Sequence, residues 1–233
     1  MLKKVMDQHL MWKKHIYSVA KKVSRGVGIL SKLRHFINPY LLKDIYYCLV
    51  YSHLSYGVEA WGSACKTETD ELLILQKTAV RILTGNQYFQ IYGQPAGPLP
   101  SADPLFTQLE ILKLYDIFQF GVAKFIYSVL CKICPSVFFD WFTYTHDFHS
   151  HARRSSSVIS QSHYFDTGTE VPTFSLHVPH SKLVNYGEKM IKVIGPVIWN
   201  RIPCEIQSAT TISSYKFYLK KYFIEKYTDR FKL

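Results

Sequence analysis

The chain has 233 residues, 48% of them hydrophobic and 15% aromatic, which supplies a packed core and excludes a disordered polar tail. Its formal net charge of +11 favours a polyanionic partner over a merely solubilising basic surface. No run of about 18 apolar residues without charge is present, so no membrane-spanning helix is expected.

The charge is unevenly placed. Residues 1–36 hold nine Lys/Arg against Asp7 alone, residues 37–181 nine against twelve acids, and residues 182–233 ten against four. Two basic ends flank a slightly acidic middle, a pattern suited to phosphate contact. Five cysteines at scattered positions (Cys48, Cys65, Cys131, Cys134, Cys204) do not suggest a disulfide framework. "MLKKVMDQHLMWKKHI" does not read as a signal peptide. An intracellular protein, cytoplasmic or nuclear and not secreted, is expected.

In "WKKHIYSVAKKVSRGVGILSKLRHF" (12–36), Trp12, Ile16, Val19, Val23, Val27 and Leu30 recur at three and four residues. The spacing predicts an amphipathic helix with Lys14, Lys21, Lys22, Arg25 and Lys32 on the other side. "NPY" then restarts the chain, with Asn38 as cap and Pro39 in the first turn of a helix over 40–53, apolar on most sides. "LSYGVEAWG" (54–62) combines Gly57 and Gly62 with Tyr56 and Trp61 where that pattern runs out. The glycines permit a turn or a close approach and the aromatics bring large apolar area, so a packing joint between helices is expected.

"CKTETDELLILQKTAVRILTGN" predicts a further helix. Thr67 and Asp70 approximate a capping box, Leu72, Leu75, Ala79 and Ile82 form the apolar stripe, and Gly85 gives the stop. Lys77 and Arg81 lie one turn apart on its outer face. A Pro- and Gly-rich loop leads to a helix opened by Asp103-Pro104. A longer helix carries Leu114, Phe118, Val122, Phe125 and Val129 and should end before Pro135. Beyond about residue 145 the periodicity breaks down. "FSLHV" (174–178) and "MIKVIG" (190–195) read as two short strands of a hairpin, and "ISSYKFYLKKYFIEKY" as a closing helix.

The expected fold is therefore mainly α. It comprises a helical bundle over 1–86, a linker loop over 87–103 and a helical region over 104–142. Residues 143–233 follow as an irregular loop, a small β-hairpin and a C-terminal helix.

Recurring catalytic motifs are missing: the chain shows no phosphate-binding glycine loop, nucleophile elbow or His-Glu-x-x-His. Glu68, Asp70 and Glu71 cluster at a helix start, where acids complement the dipole. Glu59 has no carboxylate close in sequence. Cys131-x2-Cys134-x11-His146-x4-His151 falls one residue short of a zinc-finger spacing, and Cys131 sits inside a helical pattern rather than on a hairpin. No metal or other cofactor is expected, although a zinc-dependent binding module stays open. "HARRSSS" (151–157) offers Arg153 and Arg154 to phosphates.

Several stretches occur together and in order. "MDQHLMWKKHIYSVAKKVSRGVGILSKLR" precedes "IYYCLVYSHLSYGVEAWGSACKTETDELLILQKTAVRILTG". "DPLFTQLEILKLYDIFQFGVAKFIY", "HDFHSHARRS" and "IGPVIWNRIPCEIQSATTISSYKFYLKKYF" follow. Taken with Tyr56-Gly57, Trp61-Gly62 and Gly195-Pro196, Trp199-Asn200 and Pro203, the chain resembles the region after the polymerase core of non-LTR (LINE-like, Jockey/CR1-like) retrotransposon reverse transcriptases.

The resemblance implies that residues 1–15 end a palm, with Asp7, Leu10, Trp12 and His15 on its pattern. It implies that residues 16–85 form a helical thumb on the template–primer duplex and that the rest is a tail. The family's catalytic Asp-Asp turn has no counterpart here, so no polymerase activity is expected of this chain alone. Nucleic-acid contact is expected from Lys13, Lys14, Lys21, Lys22, Arg25, Lys32 and Arg34, with Lys77 and Arg81 as second candidates. The partners implied are an RNA or DNA template–primer duplex and the polymerase core. A stand-alone helical protein-interaction module, docking through the aromatic closing helix (Tyr215, Phe217, Tyr218, Tyr222, Phe223), is the alternative.

Overall fold

A computed structural model describes residues 11–85, 101–145, 175–181 and 187–229. The fold is mainly α-helical. In chain order the helices are α1 (Lys13–Leu33), α2 (Pro39–Tyr46), α3 (Ser52–Ser55), α4 (Val58–Trp61), α5 (Lys66–Thr84), α6 (Asp103–Gln108), α7 (Leu114–Leu130), α8 (Ile191–Trp199), α9 (Cys204–Gln207) and α10 (Ile212–Asp229). A π-helical turn, Tyr47–Tyr51, joins α2 to α3, and a 3-10 turn covers Ser136–Trp141. The described residues divide into two compact units, one within Met1–Phe118 and Tyr222–Leu233, the other within Gln119–Lys221.

In the first unit α1 buries Ile16, Val19, Ala20, Val23, Val27 and Leu30, the stripe its spacing requires. It lies along α5, and Lys13 Nζ reaches Glu68 Oε1 at 3.7 Å, so both helices start at the same end. The segment from α2 through α3 packs against α1, and α2 also meets α5. Asn38 caps α2 by accepting the Tyr40 N–H at 3.0 Å, with Pro39 in the first turn. A Cβ added at Gly26 would stand 2.9 Å from the Leu49 carbonyl oxygen, so only glycine lets α1 approach the π turn this closely.

The start of α5 differs from the expected capping box. Cys65 is its N-cap, with no side-chain cap to the helix backbone and its Sγ 3.2 Å from Thr67 Oγ1, and Asp70 instead accepts the Tyr115 hydroxyl at 2.5 Å. The buried face also turns relative to the expected stripe. It runs through Thr69, Leu72, Gln76, Ala79, Val80 and Leu83, leaving Leu75 and Ile82 half-buried. Gln76 causes the shift: it is fully buried and takes three hydrogen bonds, which a hydropathy pattern scores as an outward residue.

In the second unit the expected hairpin does not form among the described residues. "MIKVIG" lies in α8, and residues 175–177 instead meet 143–145 through one isolated antiparallel bridge, Tyr144 to Leu176. A short apolar run carries no period that separates strand from buried helix, and here burial of Gly195, Pro196, Ile198 and Trp199 selects the helix. Gly195 brings α8 close to α7, since a Cβ there would lie 3.1 Å from Ile126 Cδ1 and 3.2 Å from Phe142 Cε1. Tyr127 and Tyr215 stack at 4.3 Å, with Trp199 tilted against Tyr215 at 6.1 Å.

Candidate nucleic-acid interface

The helical repeat sorts the basic residues of α1. Lys14, Lys21, Arg25 and Lys32 follow one another at seven, four and seven residues, which stacks them on one side of the helix. Lys14, Lys21, Arg25 and Lys32 are all exposed, and so are Tyr17, Ser24, Gly28 and Ser31 on the same side. Eighteen residues of α-helix extend about 27 Å, the rise of roughly eight base pairs of duplex. Residues 11–43 contain eight Lys/Arg and no acid, so no carboxylate of this segment neutralises the stripe.

The other basic residues expected at the interface are placed differently. Lys13 is 77% exposed but paired with Glu68. Lys22 is half-buried, and His53 feels its charge: burial first, then Lys22, holds the His53 pKa below the ordinary value. Arg34 lies past the end of α1, where its Nε donates to His35 Nε2 at 3.1 Å. Lys77 and Arg81 lie one turn apart on α5, both half-buried. Arg153 and Arg154 lie outside the described residues.

The motif residues of the amino-terminal half converge at the start of α1. His15 is buried, with the Trp12 ring 5.9 Å away on one side and the Trp61 ring 5.7 Å away on the other. Trp61 is fully buried and its Nε1 donates to the Tyr56 carbonyl at 3.1 Å. Gly57 has φ of 55°, the left-handed turn that lets α3 reverse into α4. A Cβ at Gly62 would come within 2.4 Å of Phe118 Cδ2. "LSYGVEAWG" is thus a packing joint.

The second set is also structural. Asn200 pairs twice with the backbone of Leu176, its Oδ1 accepting the N–H and its Nδ2 donating to the C=O, both at 2.9 Å. Pro203 precedes α9 as its N-cap, and Pro196 is carried inside α8. Cys131 and Cys134 follow the end of α7. Their expected partners His146 and His151 lie outside the described residues. Among the described residues no group of three or more His, Cys, Asp or Glu is placed to hold a metal ion.

Two features escaped the sequence reading. Phe36 is 88% exposed and Tyr40 83% exposed, both at the turn between α1 and α2. The signal was visible as an aromatic on either side of Asn38-Pro39. Lys113 is buried, its Nζ 2.8 Å from Asp103 Oδ1 and 4.2 Å from the Tyr227 ring centre. Tyr227 accepts the Lys113 N–H at 3.0 Å and donates to Asp116 at 2.5 Å. That cluster joins residues more than a hundred positions apart, and no local pattern announces it.

No family model, no curated protein and no solved structure matches the chain. No helix among the described residues is long and apolar enough to cross a membrane.

Proposed function

We propose that the chain is a non-catalytic part of a non-LTR retrotransposon RNA-directed DNA polymerase that holds template–primer nucleic acid through α1. The observation carrying this is the exposed Lys14, Lys21, Arg25 and Lys32 stripe in a segment with no acid. Cations spaced along a rigid helix meet phosphates without reading bases, so the contact is independent of sequence. The ordered motifs quoted above support the family. The chain has no Asp-Asp pair to hold two catalytic metal ions, so DNA synthesis requires the polymerase core as partner. The compartment follows from the substrate: cytoplasm or nucleus.

The test is duplex binding across a salt series. Affinity should fall linearly on a log–log plot, and Lys21→Glu with Arg25→Glu should weaken binding to all sequences alike and flatten the slope. Binding that ignores salt, or no binding, overturns the proposal.

A second reading is favoured by α10, where Phe217 is 66% and Tyr218 50% exposed. Of the five aromatics expected to dock a partner, Tyr215 and Phe223 are buried and Tyr222 is half-buried, leaving these two. In this reading the chain is a protein-interaction module, and loss of a protein complex on Phe217→Ser with unchanged nucleic-acid affinity would select it.

A further inference from the structure

Phe36 and Tyr40 are the most exposed large hydrophobic residues described, and they stand within five residues of each other at one tip of the first unit. Solvated aromatics at such levels forfeit apolar burial, and together they signal a contact surface rather than scatter. Their surroundings are cationic: Lys32, Arg34 and His35 are exposed, Lys43 is half-buried, and no acid occurs between Asp7 and Asp44.

The backbone beneath them is held. Arg34 and Ile37 N–H groups donate to Leu30 and Leu33 carbonyls at 3.0 and 3.1 Å, and the Phe36 N–H to Leu33 at 2.9 Å. Asn38 and Pro39 fix the start of α2, from whose first turn Tyr40 projects. Two aromatic rings presented on a fixed turn lose little entropy when a flat partner covers them.

We propose that this tip stacks on unpaired bases, so that the protein prefers a duplex carrying a single-stranded extension over a blunt duplex. The proposal rests on the reading of α1 as a phosphate-holding helix. The same acid-free run carries both features: the α1 stripe tracks the paired backbone, and the tip past Lys32 meets the strand that continues beyond it. Bases inside a duplex already stack on their neighbours, and opening that stack is unfavourable. An unpaired base offers its face without that cost, and any base suffices, because every base has a π-face. Lys32 and Arg34 supply the charge that attracts the flexible strand to the rings.

The full chain would be titrated, at one salt concentration, against a labelled blunt duplex and against the same duplex with a single-stranded extension. A fluorescent base analogue in the extension reports stacking directly. The expected result is tighter binding of the extended duplex, with a changed analogue signal. Phe36→Ala with Tyr40→Ala should remove about 10-fold or more of the affinity for the extended duplex and leave blunt-duplex binding and its salt slope unchanged. Phe36→Trp with Tyr40→Trp should keep the preference. Both positions are exposed, so circular dichroism of the variants should match the parent.

Equal binding of blunt and extended duplexes, or an alanine variant that keeps the preference, overturns the stacking proposal while leaving the α1 reading intact. No binding of either duplex by the parent overturns both. Self-association of the parent that the alanine variant abolishes, without any extension preference, marks the tip as a protein contact and overturns it as well.

Discussion

Gln76 clips the entry to α7: its Oε1 accepts the Leu114 N–H at 2.9 Å and its Nε2 donates to the Leu112 carbonyl at 2.9 Å. The same Nε2 also donates to the Tyr46 hydroxyl at 3.1 Å, so one amide ties α2, α5 and the start of α7. Gln76 is fully buried, which raises the cost of leaving any of these groups unpaired.

Gln76→Leu keeps the volume but strands a backbone N–H, a carbonyl and a hydroxyl. It should cost about 2 to 4 kcal/mol of stability, read from a denaturant midpoint. A variant as stable as the parent would mean that water replaces the amide.

Gly26 and Gly28, two residues apart in α1, should respond in opposite directions. A Cβ at Gly26 would press on the Leu49 backbone, whereas one at Gly28 meets nothing within 4 Å. Gly26→Ala should destabilise by about 1–3 kcal/mol, because backbone must move. Gly28→Ala should stabilise by about 0.5–1 kcal/mol through helix propensity. Thermal unfolding of the two single variants decides both.

Alkaline pH should unfold the protein through its buried tyrosines. Burial first, then Tyr47, pushes Tyr51 up to about 12 from 10.0. Burial first, then Cys131, pushes Tyr127 up to about 12. Burial raises Tyr46, Tyr215 and Tyr227 as well. The folded state holds these protons more tightly than the unfolded state. The contribution is therefore complete below pH 10, and it is lost as pH rises from 10 through 12. The last tyrosinate absorbance to develop should rise together with the loss of circular dichroism, above pH 10. Ionisation of every tyrosine near pH 10 with the helices intact would contradict the burial.

Asn200→Asp should loosen the Leu176 segment. An ionised carboxylate still accepts the Leu176 N–H but cannot donate to its carbonyl, which loses a 2.9 Å bond. Asn200 is exposed, so the cost should stay near 1 kcal/mol. Amide exchange at Leu176, at His177 (bonded to Thr143) and at Thr145 (bonded to Ser175) should accelerate, with α10 protection unchanged.

The helices with a clean period were legible in the residues alone. Ile16, Val19, Val23, Val27 and Leu30 of α1 are all buried as spaced, Asn38-Pro39 opens α2, and the glycines of "LSYGVEAWG" mark its joint. The same period placed Lys14, Lys21, Arg25 and Lys32 on one side, because the helical repeat fixes side-chain direction before any tertiary contact forms. Long-range packing set the rest. It turned α5 about Gln76, made "MIKVIG" a helix, engaged Lys13 with Glu68 and left Phe36 and Tyr40 exposed. Each of those outcomes depends on what lies opposite a side chain, and long-range packing, unlike local periodicity, is not written in the residues beside it.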